Sequence, residues 1–329
     1  MEHRKLTRYL ISLVMILIMV GLAEWTNEKE ILFPEMTALI IGLLIIDKRV
    51  WNVKRWQIIL LMTLGAAVGI CIVRYSPLPY VVNLCAAFAF AGASLLISRA
   101  TLIPLISACV LPVLLHTESI VYPIAVFSMS VSVVLVQIIL EKCGIRNRMP
   151  KTVGRKPGKE DIIRWLILFC FVGALAELAV GMDYPYIILP PLMVTFVEMV
   201  NSKAGFRNRP TQVFLFLTTV ATLGTVLQIV GHHHLHLPES IVTLTIAAIL
   251  FLIFEWTGKY FAPSGALAFI PMLLPQEGLA WLPLEASIGA ALFITIAMVV
   301  FQKCYKWNRA QLIFCATPTL LREYMNRKK

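Results

Sequence analysis

Apolar runs of about 17 residues or more recur along the whole chain, at 9–26, 31–46, 56–73, 79–98, 100–115 and 120–140, then at 162–181, 185–201, 211–230, 239–257, 261–275 and 285–302. No other feature constrains the fold as tightly. Each run is long enough to read as a membrane-crossing segment, and inside a bilayer the backbone must satisfy its own hydrogen bonds. The charged fraction agrees: 14% of the 329 residues, with 59% hydrophobic, where a soluble domain carries roughly 25% charged. A secreted, nucleic-acid-binding or disordered protein is excluded. The expected fold is all-α, a polytopic transmembrane helical bundle of about twelve spans.

Loop charge orients the bundle. With the N-terminus inside, the inner segments 1–8, 47–56, Arg99, 141–164, 201–210, Lys259 and 303–329 hold every one of the 29 Lys and Arg except Lys29 and Arg74. Lys and Arg near span ends stay in the cytoplasm. The outer connections carry Glu28, Glu30, Glu118, Asp183, Glu239, Glu277 and Glu285. The net charge of +11 therefore reports orientation, and no nucleic-acid partner is implied. A multi-pass protein of the cell (plasma or inner) membrane follows, with both termini cytoplasmic. The basic start Met1–Arg8 meets no small-residue cleavage site before Glu24, so the first span is expected to be retained.

The stretch from Lys142 to Arg164, with Pro150, Gly154, Pro157 and Gly158, reads as a solvated linker. It divides the chain into a first six-span repeat (1–143), a cytoplasmic linker (144–161), a second six-span repeat (162–304) and a cytoplasmic tail (305–329). The halves match in kind. Span 1 carries Glu24 and span 7 carries Glu177, each toward the outer side. Spans 2 and 8 open at Phe33-Pro34 and Leu189-Pro190-Pro191. Ala100–Pro112 of span 5 aligns without gaps on Pro263–Pro275 of span 11. Six spans per unit give both halves one orientation, so the repeats are parallel, about an axis along the membrane normal. A homo-oligomer and a monomer that is its own pseudo-dimer both remain open.

The run Phe261-Ala262-Pro263-Ser264-Gly265-Ala266-Leu267, after a basic turn, resembles the HPPAGA signature of the HPP family of integral membrane proteins. Leu189–Pro210, with Arg207-Asn208-Arg209-Pro210, is similar to that family as well. Phe261 and Ala262 stand where the family has His and the first Pro, so no role of that His carries over. The six-span unit also resembles the fusaric-acid-resistance and aromatic-acid-exporter group. These resemblances imply transport of a small, often anionic solute: nitrite in parts of the first family, aromatic or dicarboxylic acids in the second.

Proline-broken spans at matching places in two halves point to a transport path. Spans 5 (Pro104, Pro112) and 11 (Pro263, Pro271, Pro275) qualify. Substrate-path candidates are Arg99, Thr101, Pro104, Lys259, Pro263, Ser264 and Gly265, with Ser264 and the Gly265 backbone presenting N–H groups to an anion. Arg99 and Lys259 stand in matching inner turns. Ionisable residues within spans default to functional hypotheses, and Glu24, Glu177 and Glu198 are proton-coupling candidates. The run His232-His233-His234-Leu235-His236, followed by Glu239, has the imidazole density to bind zinc, nickel or copper. The matching first-half turn Tyr75–Pro79 has no such ligands, which favours a solvated, pH-sensitive turn.

The seven cysteines show no ligand spacing and read as small buried hydrophobes. No cofactor is expected. Without a nucleophile elbow, P-loop or HExxH motif, no enzyme is expected either. The leading expectation is a secondary transporter or exporter of a small anionic solute in a lipid bilayer. A non-transporting membrane scaffold or subunit that binds lipid or a partner protein is the alternative.

Overall fold

A computed structural model describes residues 2–148, 156–201 and 209–301. The tail over 305–329 lies outside the described residues, as do 149–155 of the linker and Lys203, Arg207, Lys303, Cys304 and Cys315. Among the described residues every regular element is helical. Eight helices are long and apolar enough to cross a membrane. They are α1 (Glu2–Thr26), α3 (Arg55–Tyr75), α4 (Tyr80–Ser98), α6 (Val121–Lys142), α7 (Lys159–Gly181), α9 (Pro210–Leu227, carried on by a π-helical turn, Gln228–His234), α10 (Glu239–Thr257) and α13 (Leu282–Val300).

The other four expected spans are short helices. These are α2 (Pro34–Ile40, continuing as a π-helical turn, Ile41–Ile45), α5 (Leu105–Leu114), α8 (Pro190–Asn201) and α11 (Ala262–Phe269, continuing as a 3-10 turn, Ile270–Met272); α12 is the single turn Gln276–Leu279. Twelve helical residues rise about 18 Å, well short of a hydrocarbon layer of about 30 Å. The cause is legible at their beginnings. Each has a proline at its beginning: Pro34 and Pro190 open α2 and α8, Pro104 immediately precedes α5, and Pro263 is the second residue of α11. Proline suits the first helical turn but drives the residue before it out of the α region.

The short helices form the centre. Every residue of α2, α5 and α11, and all of α8 up to Val200, is buried. The long helices surround them and expose apolar side chains outward; on α1 these are Leu6, Leu10, Val14 and Ile18, one turn apart, while Ile16, Met19 and Val20 face inward. Such a stripe suits lipid and is unfavourable in water. The packing is reciprocal. α1 packs on α10 and α4 on α7; α2 packs on α11 and α5 on α8; α3 meets α5 and α6 as α9 meets α11 and α13.

Close approach depends on glycine. A Cβ on Gly69 of α3 would lie 2.4 Å from the Cys109 carbonyl oxygen and 2.5 Å from Pro112 Cγ. One on Gly224 of α9 would lie 2.2 Å from the Ala268 carbonyl oxygen and 3.2 Å from Pro271 Cγ. The packing thus pairs Pro112 with Pro271 and Pro104 with Pro263, one helical turn away from the gapless sequence match of Pro112 with Pro275. The caps agree with this register, since α4 ends at Arg99 (φ 54°) and α10 at Gly258 (φ 62°), both left-handed.

The loop ends gather as loop charge predicts. At one end Lys5 meets Glu255 at 2.6 Å, Arg8 pairs with Asp47, Arg55 pairs with Glu141, and Arg164 lies 3.3 Å from Asn201. At the other end Arg74 donates to the Glu118 carbonyl at 2.6 Å, and the Tyr186 N–H donates to Glu285 at 3.0 Å. One expectation needs correction: of the described cysteines, all free, only Cys109 is buried, while Cys71, Cys143 and Cys170 are exposed. Cys71 and Cys170 lie on outward faces of α3 and α7, and Cys143 caps the end of α6.

Candidate functional site

Six polar side chains converge on the buried layer of short helices. Glu35 and Thr37 come from α2, Ser107 from α5, Thr195 and Glu198 from α8 and Ser264 from α11, and each is at most 3% exposed. Burial of this kind is unfavourable unless each group finds a partner. Three find one. The Thr195 hydroxyl donates to the Pro191 carbonyl at 2.8 Å, the Ser264 hydroxyl to the Phe261 carbonyl at 2.5 Å, and the Trp51 indole N–H to Glu198 at 3.0 Å. Trp51 belongs to the extended stretch after α2, and its ring fills the space that a Cβ on Gly42 would occupy, 2.4 Å away. A first-half residue thus serves a second-half carboxyl.

Glu35 is different. Its carboxyl is enclosed, and neither oxygen nor the Ser107 hydroxyl beside it completes a hydrogen bond of normal geometry. Tyr122 of α6 lies close enough to feel its charge. The Tyr122 hydroxyl itself donates to the Ala108 carbonyl at 3.2 Å. That carbonyl is available because Pro112, four residues on, has no N–H to give it. The proline break in α5 therefore holds Tyr122 in place above Ser107.

The residues singled out from sequence divide. Pro104, Pro263, Ser264 and Gly265 lie in the buried layer. Both the N–H and the hydroxyl of Ser264 are directed at the Phe261 carbonyl, so neither points at a solute. Gly265 is a packing residue between the halves, since a Cβ there would sit 2.3 Å from Ile41 Cδ1 and 3.0 Å from Thr37 Cγ2. Arg99 and Thr101 are exposed at the end of the bundle. The Thr101 hydroxyl accepts the Asn52 N–H at 2.7 Å, and its own N–H returns to the Asn52 carbonyl at 3.2 Å. Lys259 is half-buried; burial and then the nearby Arg209 push its ammonium below the ordinary lysine range.

The proton-coupling candidates do not come together. Glu24 accepts the N–H groups of Glu239 and Ser240 at 3.2 Å each, as well as the Ser240 hydroxyl. It closes the N-terminus of α10, where four N–H groups lack helical partners. Glu177 is exposed on α7. Glu198 alone of the three lies in the buried layer. In the histidine run, His232 Nδ1 lies 3.0 Å from the Leu237 carbonyl and His234 Nδ1 2.9 Å from the Ile229 carbonyl. His232 Nε2 is 3.8 Å from Glu239. Among the described residues no three His, Cys, Asp or Glu side chains are grouped to hold a metal ion.

A second charged cluster forms at the Arg8 end, where Arg146 donates to the Ile46 carbonyl at 2.9 Å and Gln137 donates to Glu141 at 2.9 Å. Burial, then the charge of Arg8, pushes the Arg146 guanidinium down to about 10. Glu35, Trp51 and Arg146 were not singled out from sequence. Glu35 is visible there as an ionisable residue inside an apolar run, but its enclosure by α5 and α6 is not. Compared with protein-family models, curated proteins and solved structures, the chain matches none.

Proposed function

We propose that the chain is a secondary transporter of a small anionic solute, built as two parallel six-element repeats and crossing the membrane twelve times. Four of the crossings are short helices, three of them extended by a π-helical or 3-10 turn. The observation that carries the reading is the central layer itself: two proline-started short helices from each half, packed reciprocally and holding six buried polar side chains. Short, interrupted helices at a repeat interface are where transporters place substrate and coupling sites. The gathering of inner loops at one end of the bundle supports the twelve crossings. It also supports cytoplasmic termini in a cell membrane. Nothing in the layer resembles a nucleophile with its base, so no enzymatic reaction is proposed.

The solute path is proposed along the α2–α11 and α5–α8 contacts, with Arg99 and Lys259 at its cytoplasmic mouths. Purified protein in liposomes tests this, with nitrite, benzoate and succinate as probes, each with and without a pH gradient. Flux of at least one above empty liposomes is expected. No flux of any of the three overturns the reading and leaves a non-transporting scaffold.

A further inference from the structure

We propose that Glu35 is a proton-binding site in the membrane interior and that its proton moves in step with the solute. The coupling part rests on the transport reading above; the proton binding does not. The placement supplies the case. Glu35 is 1% exposed, no cation is paired with it among the described residues, and neither carboxyl oxygen is satisfied. An isolated carboxylate so enclosed is strongly disfavoured, and such a group stays neutral by keeping its proton.

The surroundings are built to hold the neutral acid and to release it only on opening. Ser107 from α5 and Tyr122 from α6 are the polar groups that face it, with the Cys109 thiol beyond, near Tyr122. α11 and the turn Ile41–Ile45 contain no ionisable residue. In α1, Lys5 and Tyr9 are held by Glu255, Arg8 by Asp47 and Glu24 by the start of α10, and Glu2, His3 and Arg4 stand in its first turn, before Lys5. Among the described residues no cation faces the carboxyl; in the closed arrangement an anion would have beside it only the Ser107 hydroxyl and the backbone N–H of Glu35 itself, in the first turn of α2. When α2 parts from its neighbours and water enters, the acid loses its proton to that water. When the site recloses, it must take one up again. The chemistry is a simple exchange, a carboxylic acid giving a carboxylate and a hydrated proton.

A structural acid would be expected in both halves of a duplicated scaffold, and this one occurs in the first alone. In the register set by the glycine contacts Ser107 corresponds to Ala266; setting Pro123 against Pro283 places Leu282 opposite Tyr122, and the start of α8 offers Pro191 and Leu192 where α2 has Glu35. The second half packs without the acid, the serine or the tyrosine. The trio is an addition to the scaffold that packing does not require.

Two measurements on the full-length protein test the proposal separately from transport. The first is infrared difference spectroscopy between alkaline and acid buffer, comparing wild type with Glu35→Gln, an isosteric neutral replacement, and checking the fold of each by thermal unfolding. A titrating protonated-carboxyl band that is reduced in Glu35→Gln is expected, the remainder belonging to the buried Glu198. A band of equal size in Glu35→Gln, or its absence from wild type, overturns proton binding by Glu35 whether or not the protein transports anything. The second is nitrite, benzoate or succinate flux in liposomes, using whichever probe wild type carries. Glu35→Gln should lose the stimulation by a pH gradient, so that its flux with and without the gradient becomes equal. Glu35→Asp should retain part of it. Full stimulation in Glu35→Gln overturns coupling while leaving the transport reading intact. Absence of wild-type flux overturns the transport reading and with it the coupling, and proton binding is then decided by the infrared result.

Discussion

Replacing Gly224 by Ala asks whether the long helices approach the short ones as closely as the structure shows. The added Cβ would lie 2.2 Å from the Ala268 carbonyl oxygen and 3.0 Å from its carbon, both backbone atoms that no rotamer change can move. An ordinary carbon–oxygen contact is about 3.3 Å, so α9 and α11 must separate locally by about 1 Å. Overpacking of this kind costs about 1–3 kcal/mol, partly offset by up to about 1 kcal/mol from the better helix propensity of Ala. A net loss of about 1 kcal/mol is expected, lowering the unfolding midpoint by about 2 °C. Gly21→Ala is the internal control. Its Cβ would meet only Ser240 Oγ, at 3.9 Å, and should leave the midpoint unchanged or slightly raised. Gly69→Ala should behave like Gly224→Ala, because its Cβ would lie 2.4 Å from the Cys109 carbonyl oxygen. The assay is thermal unfolding in detergent followed by tryptophan fluorescence. If Gly224→Ala and Gly21→Ala unfold at the same midpoint, the close α9–α11 contact and the register built on it are refuted.

Two further substitutions probe contacts between the halves. Glu24→Ala removes the acceptor for the N–H groups of Glu239 and Ser240, and a lost helix cap costs about 1 kcal/mol; hydrogen exchange should show faster opening confined to the first turn of α10, and uniform protection across α10 would contradict it. Trp51→Phe removes the donor to Glu198 and, with it, the far edge of the indole that lies against Gly42; leaving a buried carboxyl without its partner costs about 1–3 kcal/mol beyond the lost packing. The same unfolding assay should show that loss, and Glu198→Leu should suppress the part of the difference between Trp51 and Phe that comes from the hydrogen bond.

Much of the architecture could be read along the chain. The apolar runs, the proline positions and the asymmetric distribution of Lys and Arg are local properties, and the ends of the bundle gather the residues that loop charge assigns to each side. Pro34, Pro104, Pro190 and Pro263 were visible as breaks, yet their effect, four helices too short to span on their own, depends on how far helix continues after each one. The alignment of span 5 on span 11 slipped by one turn for a related reason. Apolar helices have a weak sequence register, and only the contacts of Gly69 and Gly224 with facing carbonyls fix it. Ser264 looked like a free donor because its nearest acceptor, the Phe261 carbonyl, is a matter of local turn geometry.

The amino-acid order by itself determined that this chain carries segments long and apolar enough to cross a bilayer, which end of each segment carries positive charge, and where prolines favour helix starts. These follow from transfer free energy and from the backbone limits of proline, both of which act on a few neighbouring residues at a time. Tertiary structure alone decided which polar groups are isolated. Glu24, the more prominent carboxylate in sequence, is satisfied by the first turn of a helix more than two hundred residues away, while Glu35 is sealed between α5 and α6 without a charged partner. Burial and pairing are properties of the packed bundle, because a carboxyl's environment is set by whatever distant chain comes to rest against it.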